Sequence, residues 1–95
     1  MNFASKFPAD YVVIRDRIAG LYRELNTSDP NEVDRVETTI CGYVVRVWRT
    51  RINCRERIHL GHRTKWERSF HPDQSVLRLT EQLYRHRGSD ELHGH

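Results

Sequence analysis

The chain has 95 residues and a mass of 11.4 kDa, one small domain near the lower limit at which a single apolar core holds a protein folded. Only 37% of it is apolar and 31% is charged, and no stretch approaches the ~20 uncharged residues of a membrane span. The opening residues MNFASKFPADYVVIRDR lack the apolar run of a secretion signal. These figures exclude a membrane protein, a secreted disulfide scaffold and a multidomain enzyme. They lead us to expect a cytoplasmic single domain over 1–95 with a polar tail at 89–95.

The net charge of +3 is unevenly spread. Residues 1–40 carry −2 and residues 71–95 carry −1, whereas residues 41–70 carry +6 from Arg46, Arg49, Arg51, Arg55, Arg57, Arg63, Lys65 and Arg68 against Glu56 and Glu67. Such a block suits phosphate or an acidic protein surface, or it is simply a solvated face.

The first predicted element is a helix over 8–26. Tyr11, Ile14, Ile18, Leu21 and Leu25 recur at spacings of three and four, and Pro8 and Asp10 suit its first turn. Asp29-Pro30-Asn31-Glu32 then resembles a helix start. Two readings compete beyond it. At about 100° per residue, a helix over 30–58 gathers Val33, Val36, Ile40, Cys41, Tyr43, Val44, Val47, Trp48, Ile52, Cys54 and Ile58 on one side. The alternative is α+β, with a strand over 38–49 paired in a hairpin with 55–62, favoured by the β-branched run around Thr38, Ile40 and Val44. No Asn-Gly or Asp-Gly turn separates those runs, so the sequence favours a mostly α fold with a long central helix. Gly61 ends it. Thr64-Lys65-Trp66-Glu67 opens a short helical turn, and a last helix over 73–87 carries Val76, Leu77, Leu79, Leu83 and Tyr84, closed by Gly88.

A helix of ~28 residues is ~42 Å long, longer than the ~32 Å diameter of a compact domain of this size. Its overhang and its wide apolar arc predict a homodimer, with Val36, Ile40, Tyr43, Val47 and Trp48 at the interface.

Cys41 and Cys54 are expected to be reduced, too far apart on one helix to bridge but able to face each other on a hairpin. Cys54, His59, His62 and His71 supply zinc-type ligands, but their spacing matches no established site, and no metal or cofactor is expected. Catalytic motifs are missing, and Asp29, Glu32, Asp34 and Glu37 suit the first turns of a helix better than a reaction. No enzyme is expected.

The chain therefore reads as a small non-enzymatic binding protein. A homodimeric regulator or inhibitor acting on an acidic protein face ranks first, in the style of phage or mobile-element accessory proteins. Nucleic-acid binding through the basic 46–68 face ranks second. Either use draws on Arg46, Arg49, Asn53, Arg57, Arg63, Lys65, Trp66 and Arg68. On a hairpin, Arg46 and Trp48 would instead join Arg55, Arg57 and His59 on one exposed ribbon face.

Overall fold

The computed structural model describes residues 9–71 and 76–93. The elements run α1 (Ala9–Thr27), β1 (Arg35–Ile40), β2 (Tyr43–Arg49), β3 (Cys54–Leu60), β4 (Arg63–Phe70) and α2 (Leu77–His93). The strands form one antiparallel sheet in the order β1-β2-β3-β4, and both helices pack on the same side of it. The result is an α+β slab measuring 42 × 37 × 17 Å, two layers thick, with one face of the sheet left open by the described residues.

α1 follows its sequence pattern. Tyr11, Ile14, Ile18, Leu21 and Leu25 are all buried, joined by Tyr22. At its end the Arg49 guanidinium donates to the carbonyls of Leu25 and Val33, tying the last turn of α1 to the end of β2.

The expected helix over 30–58 does not form. The start signal at Asp29 yields a single turn, in which Asp29 Oδ1 accepts from Asn31 N–H and the Asp29 carbonyl accepts from Val33 N–H. Beyond it the β-branched residues take extended backbone, where their stiff side chains fit a pleated surface. The expected strand over 38–49 is also divided. Cys41 and Gly42 adopt φ of 54° and 82°, the left-handed pair of a type I′ turn, whose twist matches the flanking strands. Gly61, with φ of 60°, starts the β3–β4 turn. Between β2 and β3 the Thr50 hydroxyl bonds the carbonyl, side chain and N–H of Asn53, closing the loop that contains Arg51 and Ile52.

Thr64–Phe70, expected as a helical turn, belongs to β4. Ile58 lies opposite Trp66 but His59 opposite Thr64, so Lys65 is the extra residue of a β-bulge. Residues 73–75 of the expected last helix lie outside the described residues. α2 runs through Gly88 to His93, so most of the expected polar tail is helical.

The core lies between sheet and helices: Ile14, Ile18 and Leu25 of α1, Leu79 and Leu83 of α2, and Ile40, Tyr43, Val45, Val47, Ile58 and Phe70 of the strands. Ile40, Tyr43 and Val47, expected at a dimer interface, are thus buried inside the chain itself. Val36 packs against the same core, while Trp48 lies on the opposite face. With no overhanging helix, the expected homodimer loses its basis. No described helix is long and apolar enough to cross a membrane.

Candidate functional site

Successive residues of a strand point to opposite faces, so the register places every side chain. On the open face three rows cross the sheet. Arg35, Trp48, Arg55 and Ser69 form the first, Glu37, Arg46, Arg57 and Glu67 the second, and Thr39, Val44, His59 and Thr64 the third. The first two rows hold four arginines against two glutamates.

Arg46 and Arg57 are direct cross-strand neighbours, a like-charge pairing that destabilises a sheet unless it is offset. The flanking glutamates offset it. Arg46 Nε donates to Glu37 Oε1 at 2.9 Å and Arg57 Nε to Glu67 Oε1 at 2.7 Å. Arg55 donates through Nη2 to Glu67 Oε2 at 2.9 Å and through Nη1 to Ser69 Oγ at 2.7 Å. Hydrogen bonds from Arg57 and then Arg55 hold the Glu67 carboxyl below the usual carboxylate range. The Arg57 guanidinium also lies over the Trp48 ring, 5.2 Å from its centroid. Arg35 forms no ion pair among the described residues.

The residues expected to bind a partner do not share one surface. Arg46 and Arg57 stand side by side on the open face. Arg49 faces the helices and is occupied by the carbonyls of Leu25 and Val33. Asn53 closes the β2–β3 loop. Arg63 is exposed at the start of β4. Lys65, turned by the bulge, pairs with Asp90 of α2 at 3.1 Å. Trp66 is on the helix side, half-buried, and Arg68 is exposed on the helix side of the edge strand, opposite Glu56. The hairpin grouping of Arg46, Trp48, Arg55, Arg57 and His59 is the one found together.

Two polar clusters carry no motif in the sequence. Glu56 is 1% exposed. It accepts from the Tyr22 hydroxyl at 2.8 Å and from Trp66 Nε1 at 2.9 Å, and forms no ion pair among the described residues. Burial and then the Glu56 charge push the Tyr22 phenol far up. The alternation Cys54, Glu56, Ile58 already places Glu56 inward once this segment is a strand. The second cluster joins sheet to α2: the Tyr43 hydroxyl bonds the Asp90 carboxylate, which also takes the Lys65 ammonium. The Tyr43 hydrogen bond and then Lys65 hold the Asp90 carboxyl below its ordinary range.

Cys54 faces the helices and His59 the open side of the same strand, so these two zinc-type side chains point apart. No group of three candidate metal ligands gathers among the described residues. Cys41 is exposed at the β1–β2 turn and Cys54 lies buried near the other end of the sheet, both free, so they do not face each other. Burial pushes the Cys54 thiol up, which suits a packed group rather than a nucleophile. A hollow of about 330 Å³ lies beside it, between Asn26 and the β2–β3 loop. Comparison with known proteins finds no matching family model, no similar curated protein and no similar solved structure.

Proposed function

We propose that the protein acts by binding rather than catalysis, and that it takes single-stranded nucleic acid on the open face of its sheet. The observation that carries this is the pair of rows in which Arg35, Arg46, Arg55 and Arg57 surround Trp48 where no described helix covers them. Arginine suits the planar, bidentate recognition of phosphate, and guanidinium planes stack on bases. A four-stranded sheet is also wide enough to follow several nucleotides. Among the described residues the same face holds only Val44 and Trp48 as apolar side chains of any size, too few to build the dry centre of a protein interface.

A regulator or inhibitor of an acidic protein is the second reading. It draws support from Ile52, 88% exposed beside Arg51 at the tip of the β2–β3 loop, an apolar anchor with a neighbouring charge.

Fluorescence anisotropy with a labelled oligothymidylate of about 16 nucleotides tests the first reading. If the face neutralises two or three phosphates, the slope of log K against log salt is about −1.4 to −2.1 for a single strand. The double reversal R46E/R57E abolishes the binding. Wild-type affinity in that variant, or a flat salt response, refutes nucleic acid on this face.

A further inference from the structure

The four arginines of the open face are not equivalent. Arg55 spends both terminal nitrogens inside the protein, on Ser69 and Glu67, and acts as a brace. Arg46 and Arg57 each donate only through Nε, to Glu37 and Glu67. Neither makes another hydrogen bond among the described residues, which leaves their Nη ends without a hydrogen-bond acceptor there. The two stand directly opposite each other on adjacent strands, about 5 Å apart at Cβ.

We infer that Arg46 and Arg57 form a seat for one backbone phosphate, their Nη groups donating to its oxygens while Glu37 and Glu67 hold the guanidinium planes through Nε. The inference rests on the nucleic-acid reading above and adds to it where the anion sits and which residues orient its ligands. A guanidinium has five donors in a rigid fork. Fixing it through Nε leaves its outer edges for a second anion and removes much of the side-chain freedom that binding would otherwise have to freeze. Trp48 adds a second restraint, from below the Arg57 plane. Arg35, one row away, adds charge without belonging to the seat. Lys65 and Arg49 are committed to Asp90 and to backbone carbonyls. Glu37 and Glu67 are positioning residues, since they touch the arginines and not the phosphate.

Arginine-to-lysine exchange tests the seat, because it keeps the charge and removes the fork. With the same oligothymidylate, R46K/R57K is expected to bind about 10-fold more weakly than wild type at fixed salt, with the salt slope unchanged. Wild-type affinity in R46K/R57K overturns the seat while leaving the charge-based reading in place, provided R46E/R57E still loses binding. If R46E/R57E binds normally, the nucleic-acid reading itself fails and takes the seat with it. The positioning role has its own test at Glu67. E67Q keeps an acceptor for Arg57 Nε and removes a repelling charge, whereas E67A removes both. Tighter binding by E67Q than by E67A is expected, and equal or tighter binding by E67A overturns the positioning role. All these side chains lie on the open face away from the core, and far-UV circular dichroism checks that each variant is folded. If a double variant does not fold, R46K and R57K are measured singly, with a loss of about 3-fold each expected and no loss in either overturning the seat.

Discussion

Replacing Tyr22 by Phe removes one oxygen atom from the interior and leaves Glu56 with a single donor. The lost bond is 2.8 Å long and its acceptor is 1% exposed, so no solvent stands ready to replace the hydroxyl. Hydrogen bonds to charged groups contribute about 1.5–3 kcal/mol, and burial in a low-dielectric site places this one toward the upper end, at about 2–3 kcal/mol. Packing changes little, because the ring keeps its stack on Phe70, with centroids 5.0 Å apart and planes at 16°. A domain of this size loses about 4–8 °C of melting temperature per kcal/mol. Tyr22→Phe should therefore melt roughly 10–20 °C below wild type, followed by circular dichroism. In urea it should show a lower midpoint at an unchanged m value. Glu56→Leu makes the complementary point. It leaves the buried Tyr22 Oη and the half-buried Trp66 Nε1 without their acceptor and should cost more than Tyr22→Phe alone. Adding Tyr22→Phe to Glu56→Leu should then recover stability, because removing both partners of a buried bond is cheaper than removing one. A loss below about 0.5 kcal/mol in Tyr22→Phe would refute the reasoning, since it would mean that Glu56 reaches water.

The pH response of Glu67 has a definite sign. Its native pKa is depressed below the usual 4.5, so its pairing with Arg57 and Arg55 stabilises the fold above the unfolded-state value and is lost as pH falls through the native one. Carboxyl NMR titration should place Glu67 below 4.5 in wild type and higher in Arg57→Gln; equal midpoints would contradict the pairing. Tyr22 has the opposite sign: its pKa is raised, so the neutral phenol stabilises the fold below the ordinary value near 10.0 and loses that contribution at higher pH. Its phenolate absorbance should appear only with alkaline unfolding, and a Tyr22 step within the folded protein would count against its burial beside Glu56. At the β1–β2 turn, Cys41→Asn should raise stability by about 0.5–1 kcal/mol, because Asn tolerates the left-handed region better. Gly42→Ala should lower it by about 1–2 kcal/mol, and chemical denaturation reads both.

The N-terminal helix was legible because five apolar residues repeat along one narrow line, with Asp10, Asp16 and Arg17 off it. The centre of the chain misled because its helical arc was wide, about 200° by the wheel, and so wide a sector also accepts a strand's alternating residues. Tyr43, Val45 and Val47 against Val44, Arg46 and Trp48 is a clean two-residue period, and the Cys41-Gly42 turn before it is masked because cysteine rarely takes the positive φ that a type I′ turn requires. The functional face was half legible for the same reason. Arg46, Arg55 and Arg57 fall together as soon as the segment is read as strands. Arg49, Lys65 and Trp66 could not be separated from them, because what occupies each lies far away in sequence: the carbonyl of Leu25, the carboxylate of Asp90 and, for Trp66, Glu56.

One helix layer on one side of the sheet has a consequence for how this chain can change. Along β2 and β3 the residues that hold the fold alternate with those that meet solvent, so the two sets mutate almost independently. Thr39, Val44, Arg46, Trp48, Arg55, Arg57 and His59 can be randomised together while every inward residue keeps its neighbours. A library restricted to those positions should yield a high fraction of folded members. New ligand preferences would then arise by exchanging surface letters alone, with stability inherited from the other half of each strand.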